Sequence, residues 1–224
     1  MKKLLNDLIL KSVLRLNNYQ NKIAKRSLPE FANKPHNLII ELPRKISNPE
    51  RMIIGDNSKF GPGCMIKAST RYPGSWMQHP NGDHVTQRFD PMLFIGNNVT
   101  ATSNLHIAVT NRITIEDDVM FASNVFISDY SHGYDRGDIA YKYQGIVNNS
   151  PITIKKGSWI CQNVVILPGV TIGKYVIIGA NSVVHHSIPD KCIAVGNPAR
   201  IKKIWDDKTE QWKTVKGRKK LNSN

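Results

Sequence analysis

Cysteine is scarce in this chain: Cys64, Cys161 and Cys192 are the only three, odd in number and too widely spaced for a disulfide framework or a four-thiolate metal site. A reducing, cytoplasmic setting is the expectation. Aromatic residues make up only 8% of the chain, and the 17 Asp and Glu are outnumbered by 31 Lys and Arg. The formal charge of +14 points to an anionic partner, whether a phosphate, an acidic glycan or a lipid headgroup, without choosing among them. Long apolar runs are missing too. Near the N-terminus Leu4, Leu5, Leu8, Ile9, Leu10, Val13 and Leu14 are interrupted by Asn6, Asp7, Lys11 and Ser12, which reads as neither a signal peptide nor a membrane span. With 224 residues, 40% of them apolar, one sizeable domain with short arms is expected rather than two full domains.

What the chain does have is a repeat with a period of six. Counting in sixes from Ile154 reaches Ile160, Ile166, Ile172, Ile178 and Val184, an unbroken series of branched aliphatics. Four residues after these anchors stand Ser158, Val164, Val170, Val176, Ser182 and Ile188, so a second position shares the period. Partial copies lie upstream as Ile54, Phe60 and Ile66, as Ile95, Ala101 and Ile107, and as Ile115, Phe121 and Ile127. A helix needs a spacing of about 3.6, and an ordinary strand alternates over one short run. A period of six fits instead a solenoid of short strands on flat faces, three to a coil, stacked at about 4.8 Å with the anchors inside.

Three segments carry a resemblance to a known family. They are I-T-I-K-K-G-S-W-I-C-Q-N-V-V-I-L-P-G-V-T-I-G-K-Y-V-I-I-G-A-N-S-V-V at 152 to 184, A-V-G-N-P-A-R at 194 to 200, and S-D-Y-S-H-G-Y at 128 to 134. Together they resemble the hexapeptide-repeat acyltransferases, specifically the acetyltransferases acting on sugars and polysaccharides. The resemblance implies an all-β fold, a left-handed parallel β-helix, with acetyl-CoA as co-substrate and assembly as a homotrimer whose active sites lie between subunits. The spacing divides the chain into an N-terminal helical or extended arm over 1–50, a β-helix domain over 51–203 with loop insertions at 69–91 and 130–150, and a C-terminal helix and basic tail over 204–224.

The arms leave readings open. Residues 1 to 26 carry apolar positions at helical spacing among Lys and Arg, as expected either of a helix covering the first coil or of a basic helix touching an anionic membrane from the cytoplasmic side. The 69–91 segment, with Pro, Gly, two His and three aromatics, is a loop suited to contacting a glycan or covering a site, or else an interface loop or a mere insertion. The K-G-R-K-K tail has no stacking sheet or recognition-helix pattern beside it, so nucleic acid is not an expected partner.

Acetyl transfer to a hydroxyl needs a base, donors for the oxyanion and a proton for the departing thiolate, and one imidazole can act as base and then acid. Of the seven histidines, His132 is the candidate, because it stands where a coil gives way to a loop and because its segment resembles the one bearing the family's catalytic His. Asp129 is a candidate to orient that ring or, equally, to bond its own backbone. By resemblance Asn104 lines the acceptor pocket, the alternative being a ladder position in a coil turn, and His106 is placed to reach the same cleft. For the donor, Arg200 and Lys203 would bind phosphate, Trp159 would wall the pantetheine groove, and Ala180 would offer backbone contacts. His185 and His186 stand where the family often has Thr-Lys.

The expected activity is transfer of an acetyl group to a sugar hydroxyl of a bacterial surface polysaccharide or its lipid-linked precursor. The alternatives are N-acetylation of an amino sugar or an antibiotic-type acceptor, a zinc hydratase using His79 and His84, and a non-catalytic scaffold.

Overall fold

The structure is a computed structural model that describes residues 2–73 and 86–215. Its strands fall into three parallel stacks, which the chain visits in turn, coil after coil. The first face runs from Ile39–Ile40 through Lys59–Phe60, Thr100–Ala101, Met120–Phe121, Trp159–Ile160 and Ile177–Ile178 to Cys192–Val195. On the second face lie Arg44–Ser47, Cys64–Ala68, His106–Val109, Phe126–Ser128, Val165–Ile166 and Val183–Val184. The third carries Met52–Ile54, Met92–Ile95, Arg112–Ile115, Ile152–Ile154 and Thr171–Ile172, and Ile188 extends it by an isolated parallel bridge to Ile172.

The six-residue series supplies the interior. Ile154, Ile160, Ile166, Ile172, Ile178 and Val184 all have 0% exposure, and in-register pairs such as Ile107 with Ile127 and Ile127 with Ile166 stack one aliphatic on the next. Each such side chain contributes about 1.5–3 kcal/mol of burial. The second position of the repeat is buried as well, because it turns inward at the corners. Where it is Ser, the hydroxyl serves the backbone: Ser158 Oγ donates to Gly173 O at 2.7 Å and accepts from Val176 N at 3.1 Å.

Corners require left-handed backbone, and asparagine supplies it. Asn104, Asn124, Asn163 and Asn181 all have φ between 52° and 61°. Their carboxamides form a ladder between the first and second faces, each Nδ2 donating to the next Oδ1 at 2.9, 3.1 and 2.9 Å. Gly63 lies below Asn104 in that column; with φ at 80° and Asn104 Oδ1 only 1.8 Å from where a Cβ would stand, only glycine fits.

Several boundaries differ from those expected. The solenoid starts earlier than residue 51, since Ile39–Ile40 pair with Lys59–Phe60 and Arg44–Ser47 pair with Cys64–Lys67. Ile40, Ile46 and Met52 already follow the spacing of six. The expected C-terminal helix is instead an antiparallel hairpin, Arg200–Asp206 with Gln211–Thr214, joined to the first face along Cys192–Val195. Asp206 Oδ1 accepts from the amides of Lys208 and Thr209 to make the turn, and Trp205 meets Trp212 edge-on across the pair, the ring centroids lying 5.4 Å apart. Ahead of the solenoid, Lys2–Arg26 is α-helical. No helix among the described residues is long and apolar enough to cross a membrane.

Candidate active site

Both insertions leave the solenoid at one corner. The chain departs after Ala68 and after Ser128, each at the end of a second-face strand, and re-enters the third face at Met92 and Ile152. Between them, the intervening coil turns tightly through Thr110 and Asn111. The two excursions therefore stand side by side on one edge and touch. Tyr72 Oη donates to Lys142 O. Gln87 grips residue 146 at two points, with Nε2 donating to Ile146 O at 3.0 Å and Oε1 accepting from Ile146 N at 2.6 Å.

That grip bears on His132. Ser131–His132 pair antiparallel with Ile146–Val147, so His132 lies directly opposite the residue that Gln87 holds. Gly145, next along, has φ at 88° and would place a Cβ 2.9 Å from Gln87 Oε1, so a side chain there would push the two excursions apart. The His132 ring is exposed, with Tyr72 edge-on at 5.2 Å and Tyr130 at 6.3 Å between centroids. Burial raises the phenol pKa of Tyr72; burial, with Asp129 and Tyr72 nearby, raises that of Tyr130. Both phenols thus stay protonated near neutral pH and frame the imidazole without adding charge.

Two expected companions of His132 are occupied elsewhere. Asp129 is fully buried. Its Oδ1 accepts from Thr110 N at 2.8 Å and Thr110 Oγ1 at 3.2 Å, and its Oδ2 accepts from Asn111 N at 2.8 Å. Neither reading of Asp129 is what the structure shows: the carboxylate bonds the neighbouring coil's corner rather than its own backbone, with no bond to the imidazole. Burial raises its pKa, against the opposing pull of those amide donors. Asn104 precedes the second-face strand that Val109 ends, at the opposite corner from His132, and its carboxamide belongs to the asparagine ladder. Within one chain it does not reach the imidazole. His106 points outward from the second face, edge-on to Phe126 at 4.8 Å, with its pKa lowered by burial and by Lys67.

The donor candidates occupy the last coils. Trp159, 41% exposed, shares an outward line on the first face with Met120, Ile177 and Ile193, and Lys203 continues that line from the hairpin. Ala180 is exposed at the corner between first and second faces, next to the top of the asparagine ladder. The segment from Gly196 to Ala199 folds over the last second-face strand: Val183 N donates to Gly196 O at 3.1 Å and Ala199 N to Val183 O at 2.9 Å. Arg200 follows; burial first, then His186 and Arg200 nearby, lower the His185 pKa. His185 comes directly after Val184, on the same edge of the solenoid as the two excursions. The structure thus groups His185 with Arg200, on the edge that bears His132, and Trp159 with Lys203 on the first face.

Tyr72, Tyr130 and Gln87 were not evident as site residues in the sequence. The available signal was register, since both insertions interrupt the repeat after a second-face anchor, Ile66 in one case and Ile127 in the other. His79 and His84 lie outside the described residues. Among the described residues, no group of three or more His, Cys, Asp or Glu is placed to hold a metal ion.

Residues 151–186 match the family described as bacterial transferase hexapeptide (six repeats). Over 180 residues, spanning 78% of this chain and 82% of the relative, the sequence is 31% identical to WbbJ of Escherichia coli (strain K12), named for lipopolysaccharide biosynthesis and O-acetyl transfer. It is 34% identical to the galactoside O-acetyltransferase of the same organism over 62% of this chain and 64% of that protein. Among solved structures, a mutant of AntD, an N-acyltransferase from Bacillus cereus in complex with dTDP and coenzyme A, superposes with a TM-score of 0.63 at 21% identity, covering 85% of this chain and 91% of that one. A hexapeptide-repeat acetyltransferase from Vibrio cholerae O1 biovar eltor, complexed with acetyl coenzyme A, gives 0.53 at 21% identity over 85% of each chain. The stacked repeat and the extent of the match to WbbJ place this chain in the family of hexapeptide-repeat acetyltransferases.

Proposed function

We propose that the protein transfers the acetyl group of acetyl-CoA to a sugar hydroxyl, in a bacterial surface polysaccharide or its lipid-linked precursor, with His132 as general base. The observation that carries this reading is the exposed imidazole of His132, held between Tyr72 and Tyr130 on a hairpin that a second excursion clamps. His132 takes the proton of the sugar hydroxyl as its oxygen attacks the thioester carbonyl carbon. As the tetrahedral intermediate collapses and the carbon–sulfur bond breaks, the imidazolium returns that proton to the thiolate. The products are an O-acetyl ester and free coenzyme A, and no group of the enzyme is acylated. The names of the relatives WbbJ and galactoside O-acetyltransferase support a sugar hydroxyl as acceptor.

On this reading the coils wind left-handed, Arg200 and Lys203 meet phosphates of the donor, Trp159 and Ala180 line the pantetheine path, and His185 contributes a neutral imidazole. The placement of Trp159 and Lys203 on the first face, away from the corner that bears His132, supports a homotrimer in which the donor path of one subunit faces the His132 edge of the next. Such an enzyme acts in the cytoplasm. N-acetylation of an amino sugar is the second reading, favoured by the structural likeness to AntD.

The test is incubation of the purified protein and acetyl-CoA with a pool of candidate glycans, followed by mass spectrometry for the gain of one acetyl unit. Alkaline treatment releases an ester but leaves an amide, which separates the two readings. His132→Ala is expected to lower turnover by about 10²–10⁴ with assembly unchanged. Turnover equal to the unsubstituted enzyme would remove His132 from the base role.

A further inference from the structure

The helix Lys2–Arg26 stands largely free of the solenoid. Near its C-terminal end Ala24 is buried at 4% exposure, and just beyond, Arg44 Nη2 donates to Ser27 Oγ at 2.9 Å. Earlier in the helix, large apolar side chains face solvent: Ile9, Val13, Leu16, Tyr19 and Ile23 are between 39% and 64% exposed. At about 100° per residue these five fall within one sector of the helix, the stripe that a soluble helix normally buries. Lys11, Arg15, Lys22 and Arg26 fall in the sector flanking that stripe, and all are exposed, while Leu10 and Leu14, also exposed, lie beyond its other edge. Asp7 is the only acid in a segment that also includes Lys2, Lys3 and Lys25.

We infer that this helix docks the protein on an anionic lipid bilayer, lying in the interfacial plane with Ile9, Val13, Leu16 and Ile23 turned into the acyl boundary. Charge selects the occupant. An exposed apolar stripe calls for an apolar cover, and a cover carrying negative charge gains in addition from the cations along the helix. A second copy of the same helix would bring two strongly basic segments together, whereas a leaflet rich in anionic headgroups neutralises them. The inference goes beyond the acetyl-transfer reading and stands whether or not His132 is the base.

The experiment is co-flotation of the full-length protein with vesicles of phosphatidylcholine alone, or of phosphatidylcholine with about one-third phosphatidylglycerol. The expected result is binding at least about tenfold stronger to the anionic vesicles, weakening as salt is raised. The variant Val13→Gln with Leu16→Gln keeps good helix formers and should lose about tenfold or more of that binding. Circular dichroism verifies that the helix persists. The charge variant Lys11→Gln with Arg15→Gln and Lys22→Gln should abolish the preference for anionic lipid. The inference is overturned if anionic vesicles are not bound, if the two lipid mixtures are bound alike, if the apolar variant binds as the unsubstituted chain does, or if the charge variant keeps the anionic preference. It is equally overturned if the apolar variant changes only the oligomer mass in solution, which would assign the stripe to another copy.

Discussion

Asp129 is ringed by amide donors, and its two oxygens meet the corner of the adjacent coil rather than the imidazole three residues away. Asp129→Asn keeps one acceptor but turns an NH₂ toward the Thr110 or Asn111 amide, which should cost about 1–3 kcal/mol of stability in denaturant titration. That cost depends on pH in a defined sense. Burial raises the folded-state pKa of Asp129 above the ordinary 3.8, so between that value and the raised one the folded chain binds more proton than the unfolded chain. The unsubstituted protein therefore gains stability relative to Asp129→Asn as pH falls through the window, and loses that gain as pH rises through it. A stability difference independent of pH would contradict the raised pKa. The position of Asp129 in S-D-Y-S-H made it a natural partner for His132 when read along the chain. Its actual partners belong to Thr110 and Asn111, one coil earlier, and proximity along a solenoid's axis leaves no mark in local sequence.

Among elements, those with a period were legible and those without one were not. The series from Ile154 to Val184 announced its own burial because each side chain stacks on the equivalent residue of the next coil. The start of the solenoid was obscured because Ile40 and Ile46 sit beside Pro43 and the positive-φ residue Asn48, and a weak pair of hits does not stand out until strand pairing is visible. The C-terminal stretch, expected as a helix with a basic tail, forms a hairpin instead: the turn bonds of Asp206 and the facing of Trp205 with Trp212 belong to paired strands. Gln87 was hidden in an irregular loop. Its side chain acts as a substitute strand edge for Ile146, so Gln87→Ala should leave that backbone pair bonded only to solvent and loosen the hairpin bearing His132. Hydrogen exchange at Ile146 is expected to accelerate markedly, with turnover reduced and thermal unfolding of the solenoid little changed. Unaltered exchange would show that the hairpin holds itself.

In the molecule as a whole, a stack of coils has two ends, each exposing unpaired backbone unless something covers it. At the C-terminal end Arg200–Asp206 pairs with Cys192–Val195 and reverses the strand direction, so the parallel stack is not extended by simple repetition. A chain ending at Ala199 should therefore keep its interior rungs but present Cys192–Val195 as a bare edge, with light scattering rising at concentrations where the full chain stays clear. Clear solutions of the shortened chain would mean that the G-N-P-A-R segment is cover enough.

The shared corner from which both excursions spring has an evolutionary reading. Among the described residues, substitutions at 70–73, 86–90 and 133–144 change what surrounds His132 while leaving the stacked anchors such as Ile66, Ile127 and Ile152 in place. A laboratory search for altered acceptor preference can thus be confined to two short windows of the gene, and most clones from such a library should still fold.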